Sequence, residues 1–381
     1  MSLAARLTGA KVLLPKGLVE APLCFSDGLI VDDTPAKEVD ISGFMIFPGM
    51  VDPHGDAFEK HLAPRRGAMK DVDQGLIAAE AELAANGITT GTLAQFYSWE
   101  GGMRGPEFAG RVFEGLQKVR PRLGTDLRVQ LRFEVSMLDD YEAARALIER
   151  FGIGYLVFND HLPHDVLHKG KTPPGHVGKS LRIGKNPDKH LEYIQSLHAR
   201  MDEVPQALDA FCTKLAKTNV RIGSHDENTA EQRAIWRDRG ATVSEFPETL
   251  EAAEAAKSGG DYVVLGAPNV VRGGSHKGNA SALELITMGL CDALASDYHY
   301  PSLRRAAFML ERGGVTDMAG AWALISSGPA KVLGLEDRGA LQPGLRADMV
   351  ILDQKTKDIC ATICAGQVTY MKGEIAKQFM A

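Results

Sequence analysis

The chain has 381 residues, 44% of them hydrophobic, which suffices for one large core and argues against intrinsic disorder. A formal net charge of -6 and a pI near 6.0 create no field for nucleic acid or an anionic membrane, so an anionic ligand has to be attracted locally. No apolar run reaches the roughly 18 residues of a membrane span, and the opening MSLAARLTGAK lacks a secretory apolar core, so a cytoplasmic location is expected.

Short strand-like runs open the chain (LTGAKVLLP, FSDGLIVDD). Apolar, β-rich segments then alternate with longer helical ones, the pattern of parallel β/α units. Eight strands are expected, within FMIFPGMVDPHGD, ITTGTLAQF, LRVQLRFEVS, GYLVFNDH, VRIGSHD, TVSEFP, YVVLGAP and ALASDYHY. The helical pattern DQGLIAAEAELAANG ends at Gly87, a suitable stop, and DKHLEYIQSLHARMDEVPQALDAFCTKLAKTN reads as helical throughout. Eight such units predict an α/β fold, a (β/α)8 TIM barrel over residues 47–338. From Gly339 onward β-type alternation returns, and residues 1–46 and 339–381 are expected to form one small β domain. Residues 161–187 are rich in Gly, Pro, Lys and His without periodicity, which predicts a long loop lidding a site. The five cysteines are scattered and odd in number, so reduced thiols are expected, with Cys360 and Cys364 as packing residues.

Barrel enzymes carry their catalytic groups at the C-terminal ends of the strands. The first strand ends in His54-Gly55-Asp56, and alternation puts His54 and Asp56 on one side, as a pair of metal ligands requires. Later strand ends offer Glu134, His161, His225 and Asp297. Imidazole and carboxylate together suit Zn²⁺, with Mn²⁺ or Fe²⁺ as alternatives. Six ligands exceed the need of one ion, and a carboxylate can bridge two. The expected centre therefore holds two divalent ions: His54, Asp56 and bridging Glu134 on one, Glu134, His161 and His225 on the other. Asp297 would touch the first ion and take a proton from the attacking water. The bland alternatives are a Glu134 paired with Arg132 or Arg128 and a His161 in a hydrogen-bonded loop start. The other histidines are mostly expected to have no role in the chemistry: His190 and His198 are solvated on a helix, and His164, His168 and His176 belong to the irregular segment, with contact to substrate as the lesser alternative.

Two basic segments follow strand ends: EKHLAPRRG, with Lys60, His61, Arg65 and Arg66, and APNVVRGGSHKGN, with Arg272, His276 and Lys277. Glycines among them allow close backbone approach, a composition suited to phosphate oxygens, although a solvated basic loop has the same composition. Two such loops over one centre point to a small anionic, phosphorylated substrate.

PGMVDPHGD, the ASD of the eighth strand and DRGALQPGLRADMVILD resemble the amidohydrolase superfamily over essentially the whole chain. More narrowly, HGDAFEKHLAPR, SHDENT, EFPETLEAAEAA, GAPNVVRGGSHKGN and SSGPAKVLGL are similar to its phosphonate-utilisation branch. The resemblance implies a metal-dependent hydrolase that releases pyrophosphate from a ribose 5-triphosphate bearing a 1-phosphonate, in a homodimer that works beside other phosphonate-pathway proteins. Two departures matter. Asp56 replaces the second histidine of the superfamily's usual His-x-His, with Glu134 in place of a bridging carboxylated lysine, as in the dipeptidase branch. After Asp160-His161 the sequence LPHDVLHKGKTPPGHVGKSLRIG differs from the branch pattern, which keeps open cleavage of a C–N bond in an amide or cyclic amidine. Glu245-Phe246-Pro247, at the end of the sixth strand, offers no histidine.

Overall fold

The computed structural model describes residues 3–63, 71–273 and 280–380. Eight parallel strands follow one another around a barrel in chain order: Met50–Gly55, Ile88–Tyr97, Asp126–Glu134, Tyr155–Asn159, Arg221–His225, Val243–Glu245, Tyr262–Gly266 and Ala293–Ala295. The eighth closes on the first through a parallel bridge between Gly55 and Asp297, where Asp56 N–H donates to Asp297 O at 2.9 Å and Asp297 N–H to His54 O at 3.0 Å. The expected barrel is thus present, and its seam runs through the residues expected to bind metal.

The run FMIFPGMVDPHGD splits in two. Phe44–Pro48 pairs with Met349–Asp353 in a six-stranded sheet, and only Met50–Gly55 enters the barrel. Gly49 sits at the joint, where a Cβ would come within 2.4 Å of Thr89 Oγ1, so only glycine lets the strand turn there. The six-stranded sheet combines strands from both ends of the chain, and a four-stranded sheet is made from residues 5–40 alone.

The helices are set by caps and apolar faces. Asp71, Thr229 and Thr249 each accept a backbone N–H in the first turn of the helix they precede. Leu131 and Phe133 of the third strand and Phe158 of the fourth pack outward on the helices, with Phe133 stacked on Phe211 and Phe158 on Trp236. Below the mouth, Tyr155, Val157, Val243, Val264, Ala293 and Ala295 fill the barrel interior with apolar side chains.

Two expectations need correcting. The stretch read as one long helix is two, Pro187–His198 and Val204–Leu215, separated by a 3₁₀ turn at Met201–Glu203. Pro205 lies in the first turn of the second, where its missing N–H costs nothing. The segment expected to be an irregular loop contains two short helices, His164–His168 and His176–Arg182. Their apolar residues are too few for periodicity to register, and Leu167 is buried by packing on the neighbouring helix. All five cysteines are free. No helix among the described residues is long and apolar enough to cross a membrane.

Candidate metal centre at the barrel mouth

Strand alternation sorts the upper layer. On the third strand Gln130, Arg132 and Glu134 face inward, two residues apart, and the adjoining strands add Tyr155, His225 and Glu245. Glu245 is the hub: His54 Nδ1 lies 2.9 Å from its Oε2, while Gln130 Nε2 and Tyr155 OH donate to its Oε1 at 2.5 and 2.7 Å. A carboxylate only accepts, so the His54 proton sits on Nδ1. The other ring nitrogen, Nε2, is buried and has no partner. This is how a metal-binding histidine is held, with one nitrogen fixed by a carboxylate and a lone pair aimed elsewhere.

Among the described residues, ligand atoms converge within 4.8 Å in two groups: His54 with Asp56 and Asp297, and His54 with His225 and Glu245. The first group has a free imidazole nitrogen and two carboxylates, a set that fits a divalent cation. In the second group Glu245 is already bonded to His54, and Arg132 donates to His225 Nε2 at 3.2 Å. His225 Nδ1 lies 3.1 Å from Asp226.

Electrostatics follow from the shared burial. Burial pushes the Asp297 carboxyl up to about 6, helped by Asp56 and opposed by His54 and Arg132. Burial works against the charged form of Glu245 too, but His54 and His225 outweigh it and hold its carboxyl below the usual range. Burial pulls His225 down. The backbone is unusual at the same place: Asp226, Phe246 and Asp297 take φ of 62°, 55° and 55°, each at the C-terminal end of a barrel strand. For a bulky residue such as Phe246 that is an outlier, and such residues gather at functional sites. It sets the Phe246 ring edge-on to both His54 and His225, at 5.1 Å from each.

Other expected residues go elsewhere. Glu134 accepts from the His161 backbone N–H at 3.0 Å and from its Nδ1, so these two form a pair of their own rather than Glu134 pairing with Arg132 or Arg128. The expected second-ion set of Glu134, His161 and His225 is not among the converging groups. Lys60 and His61 both bond Glu82, at 2.7 and 2.6 Å, on the helix Val72–Ala85. Arg272 bonds Asn269 at 2.6 Å and the Tyr298 hydroxyl at 3.2 Å, which puts it at the rim beside Asp297. Arg65, Arg66, His276 and Lys277 lie outside the described residues. His190, expected to be solvated, is buried with its Nδ1 2.9 Å from Ser180 Oγ and its ring stacked on His176.

Two features were missed. Glu245 ends the sixth strand at an inward position, and alternation from Val243 would have found it had carboxylates been sought there as well as histidines. Arg132 is buried on the inward face of the third strand, 4.0 Å from Asp56 and stacked at 3.9 Å on Phe96; Arg104 lies 4.3 Å from the same ring. Its two-residue offset from Glu134 was the available signal.

Comparison with known proteins agrees with this architecture. Residues 207–370 match the amidohydrolase family. The chain is 30% identical over 331 residues to the alpha-D-ribose 1-methylphosphonate 5-triphosphate diphosphatase of Escherichia coli K12, covering 85% of this chain and 87% of that one. Similar folds include the beta-aspartyl dipeptidase of Fervidobacterium islandicum AW-1, with TM-score 0.59, 15% identity and 98% of each chain covered. A mutant atrazine chlorohydrolase of Arthrobacter aurescens TC1, solved with zinc and atraton, superimposes with TM-score 0.61 at 13% identity, over 99% of this chain and 98% of its own.

Proposed function

Because the chain belongs to the amidohydrolase superfamily, we propose that it is a metal-dependent hydrolase that releases pyrophosphate from a ribose 5-triphosphate bearing a 1-phosphonate. The observation that carries the reading is the buried, unpartnered His54 Nε2 beside Asp56 and Asp297, in a chain 30% identical to a diphosphatase of that description. His54, Asp56 and Asp297 would hold one divalent ion, with zinc the first choice and manganese or iron the alternatives. The two-ion arrangement expected from the sequence requires Glu134 to leave His161 and Arg132 to leave His225 Nε2. The one-ion arrangement requires neither, and it is the one proposed.

A bound ion supplies Lewis acidity: it brings the pKa of a water toward neutrality and offsets charge on phosphoryl oxygens. Asp297 takes the proton of the attacking water, and its raised carboxyl pKa suits that task near neutral pH. Glu245 fixes the tautomer and direction of His54. Arg132, buried at the mouth, presents a guanidinium to phosphoryl oxygens in a site where exclusion of water strengthens it. Arg104 and Arg272 stand farther out, as candidates for the distal phosphates.

A second reading, cleavage of a C–N bond in an amide or cyclic amidine, is favoured by one observation: Glu82 already neutralises Lys60 and His61. Metal-reconstituted protein offered the ribose triphosphate should form pyrophosphate, with elemental analysis giving at least one ion per chain. Amine or ammonia release from amide substrates, with no pyrophosphate from the triphosphate, overturns the first reading in favour of the second.

A further inference from the structure

Six of the chain's eleven histidines lie in or beside the segment after the fourth barrel strand, away from the converging groups of the mouth. His164 and His168 are four residues apart on the helix His164–His168 and so share a face. His198, the last residue of the helix Pro187–His198, comes up against them. The ring centroids of His164 and His198 are 5.1 Å apart, and those of His168 and His198 are 6.5 Å apart, edge-on. His164 Nδ1 and His198 Nδ1 face each other at 2.9 Å.

Asp160 decides what this contact can be. Both of its carboxylate oxygens lie 3.0 Å from His164 Nε2, so that nitrogen carries the proton and, in the neutral ring, Nδ1 is a lone pair pointed at His198. Two imidazole nitrogens that face each other share either a proton or a cation. We propose that His164 and His198, completed by His168, form a second transition-metal site in the lid, separate from the barrel centre.

Imidazoles bound to one tetrahedral zinc at about 2.0–2.1 Å place their nitrogens about 3.3 Å apart, so the pair needs to open by only a few tenths of an ångström. The ligand atoms of His168 do not converge with those of the pair as they stand, so a third imidazole ligand requires the His168 side chain to turn toward them. Asp160 plays toward His164 the role that Glu245 plays toward His54, a carboxylate fixing the far nitrogen so that the near one is free. The scaffold is held by packing: Leu162, Leu167, Ile194 and Leu197 form a satellite core that pins the short helix to the helix bearing His198. An all-imidazole set selects zinc, nickel, copper or cobalt over magnesium or calcium. The same backbone step carries Asp160 toward this site and His161 toward Glu134, so a bound ion would clamp the lid beside the mouth.

The test counts ions. Metal-free protein titrated with Zn²⁺ against a chromophoric chelator should bind one more equivalent per chain than the His198→Ala variant, with unchanged circular dichroism in both. Asp160→Asn should keep the added equivalent but weaken it about 10- to 100-fold, the usual loss when the carboxylate behind a ligating histidine is removed. With Cu²⁺, wild-type electron paramagnetic resonance should contain a nitrogen-coupled signal that His198→Ala lacks. If His198→Ala fails to fold, His164→Gln is used with the same expectation. Equal zinc equivalents and identical copper spectra in wild type and variant would overturn the proposal and leave a hydrogen-bonded histidine pair.

Discussion

Two buried polar networks begin on adjacent residues of the fifth barrel strand and end differently. Ser224 points out toward the helices, where Arg233 NH1 donates to Ser224 Oγ and to Glu227 Oε1, both at 2.7 Å, and Ser244 donates to Glu227 Oε2 at 3.0 Å. Arg233 Nε lies 3.0 Å from Asp261, which Arg237 also meets at 2.6 Å. Each charge has an opposite charge against it. His225, one residue on, points inward to the network of His54, Glu245 and Arg132, where His54 Nε2 is orphaned, an acid is held near pH 6 and three non-glycine residues take left-handed backbone. Both networks are equally buried, so burial does not tell structure from function. Charge pairing does: every charge of the outward network meets an opposite one, although Arg233 Nε makes no hydrogen bond, whereas the inward network leaves the His54 Nε2 lone pair open to a cation.

The contrast is sharpest at Asp297. Asp297→Asn should lower pyrophosphate formation by about 10²- to 10⁴-fold, the usual worth of a positioned general base, while thermal melting changes little. Unchanged turnover would remove Asp297 from the reaction. In the closed network the effect reverses. Arg233→Met strands Glu227 and part of Asp261 without a counter-charge and should cost about 3–5 kcal/mol in denaturant unfolding. A loss under about 1 kcal/mol would mean that the network is not the structural anchor described.

Smaller effects test the hub and its rim. Glu245→Gln leaves His54 able to turn and to change tautomer, so zinc affinity at the barrel centre should fall about 10- to 100-fold with the fold retained. An unaltered affinity would show that Glu245 does not orient His54. Glu59, on the helix Glu59–Leu62, has a buried Oε1 without a hydrogen bond, and burial pushes its carboxyl up to about 7, opposed by Arg104 4.0 Å away. A raised acid pKa favours the folded state at low pH. That stability is fully present below the unfolded-chain value of 4.5 and is lost as pH rises to about 7. Metal-free Glu59→Gln should therefore match wild type near pH 4.5 and exceed it at pH 8 by on the order of 2 kcal/mol. Parallel stability curves for the two proteins would refute the assignment.

How far the sequence could be read follows the same division. The alternation of apolar segments with helical patterns located all eight strands, because period and turn chemistry are local properties. His54, Asp56 and Asp297 were legible because all three end strands, and the first and eighth strands are neighbours in any closed barrel. Glu245 and Arg132 were not, since their significance lies in the partners they meet across the barrel. His190 was misread because its burial comes from Ser180 and Trp99, on other segments of the chain.

The sequence by itself therefore determined the barrel and the strand ends at which His54, Asp56 and Asp297 converge, each of which depends on residues close together in the chain. Only the tertiary structure decided which carboxylate holds His54, that Glu134 belongs to His161, that Glu82 takes up Lys60 and His61, and that His164 and His168 lie against His198. Those pairings are choices among several opposite charges of similar sequence distance. Charge attracts without direction, and it is the packing of strands and helices around each group that selects one partner.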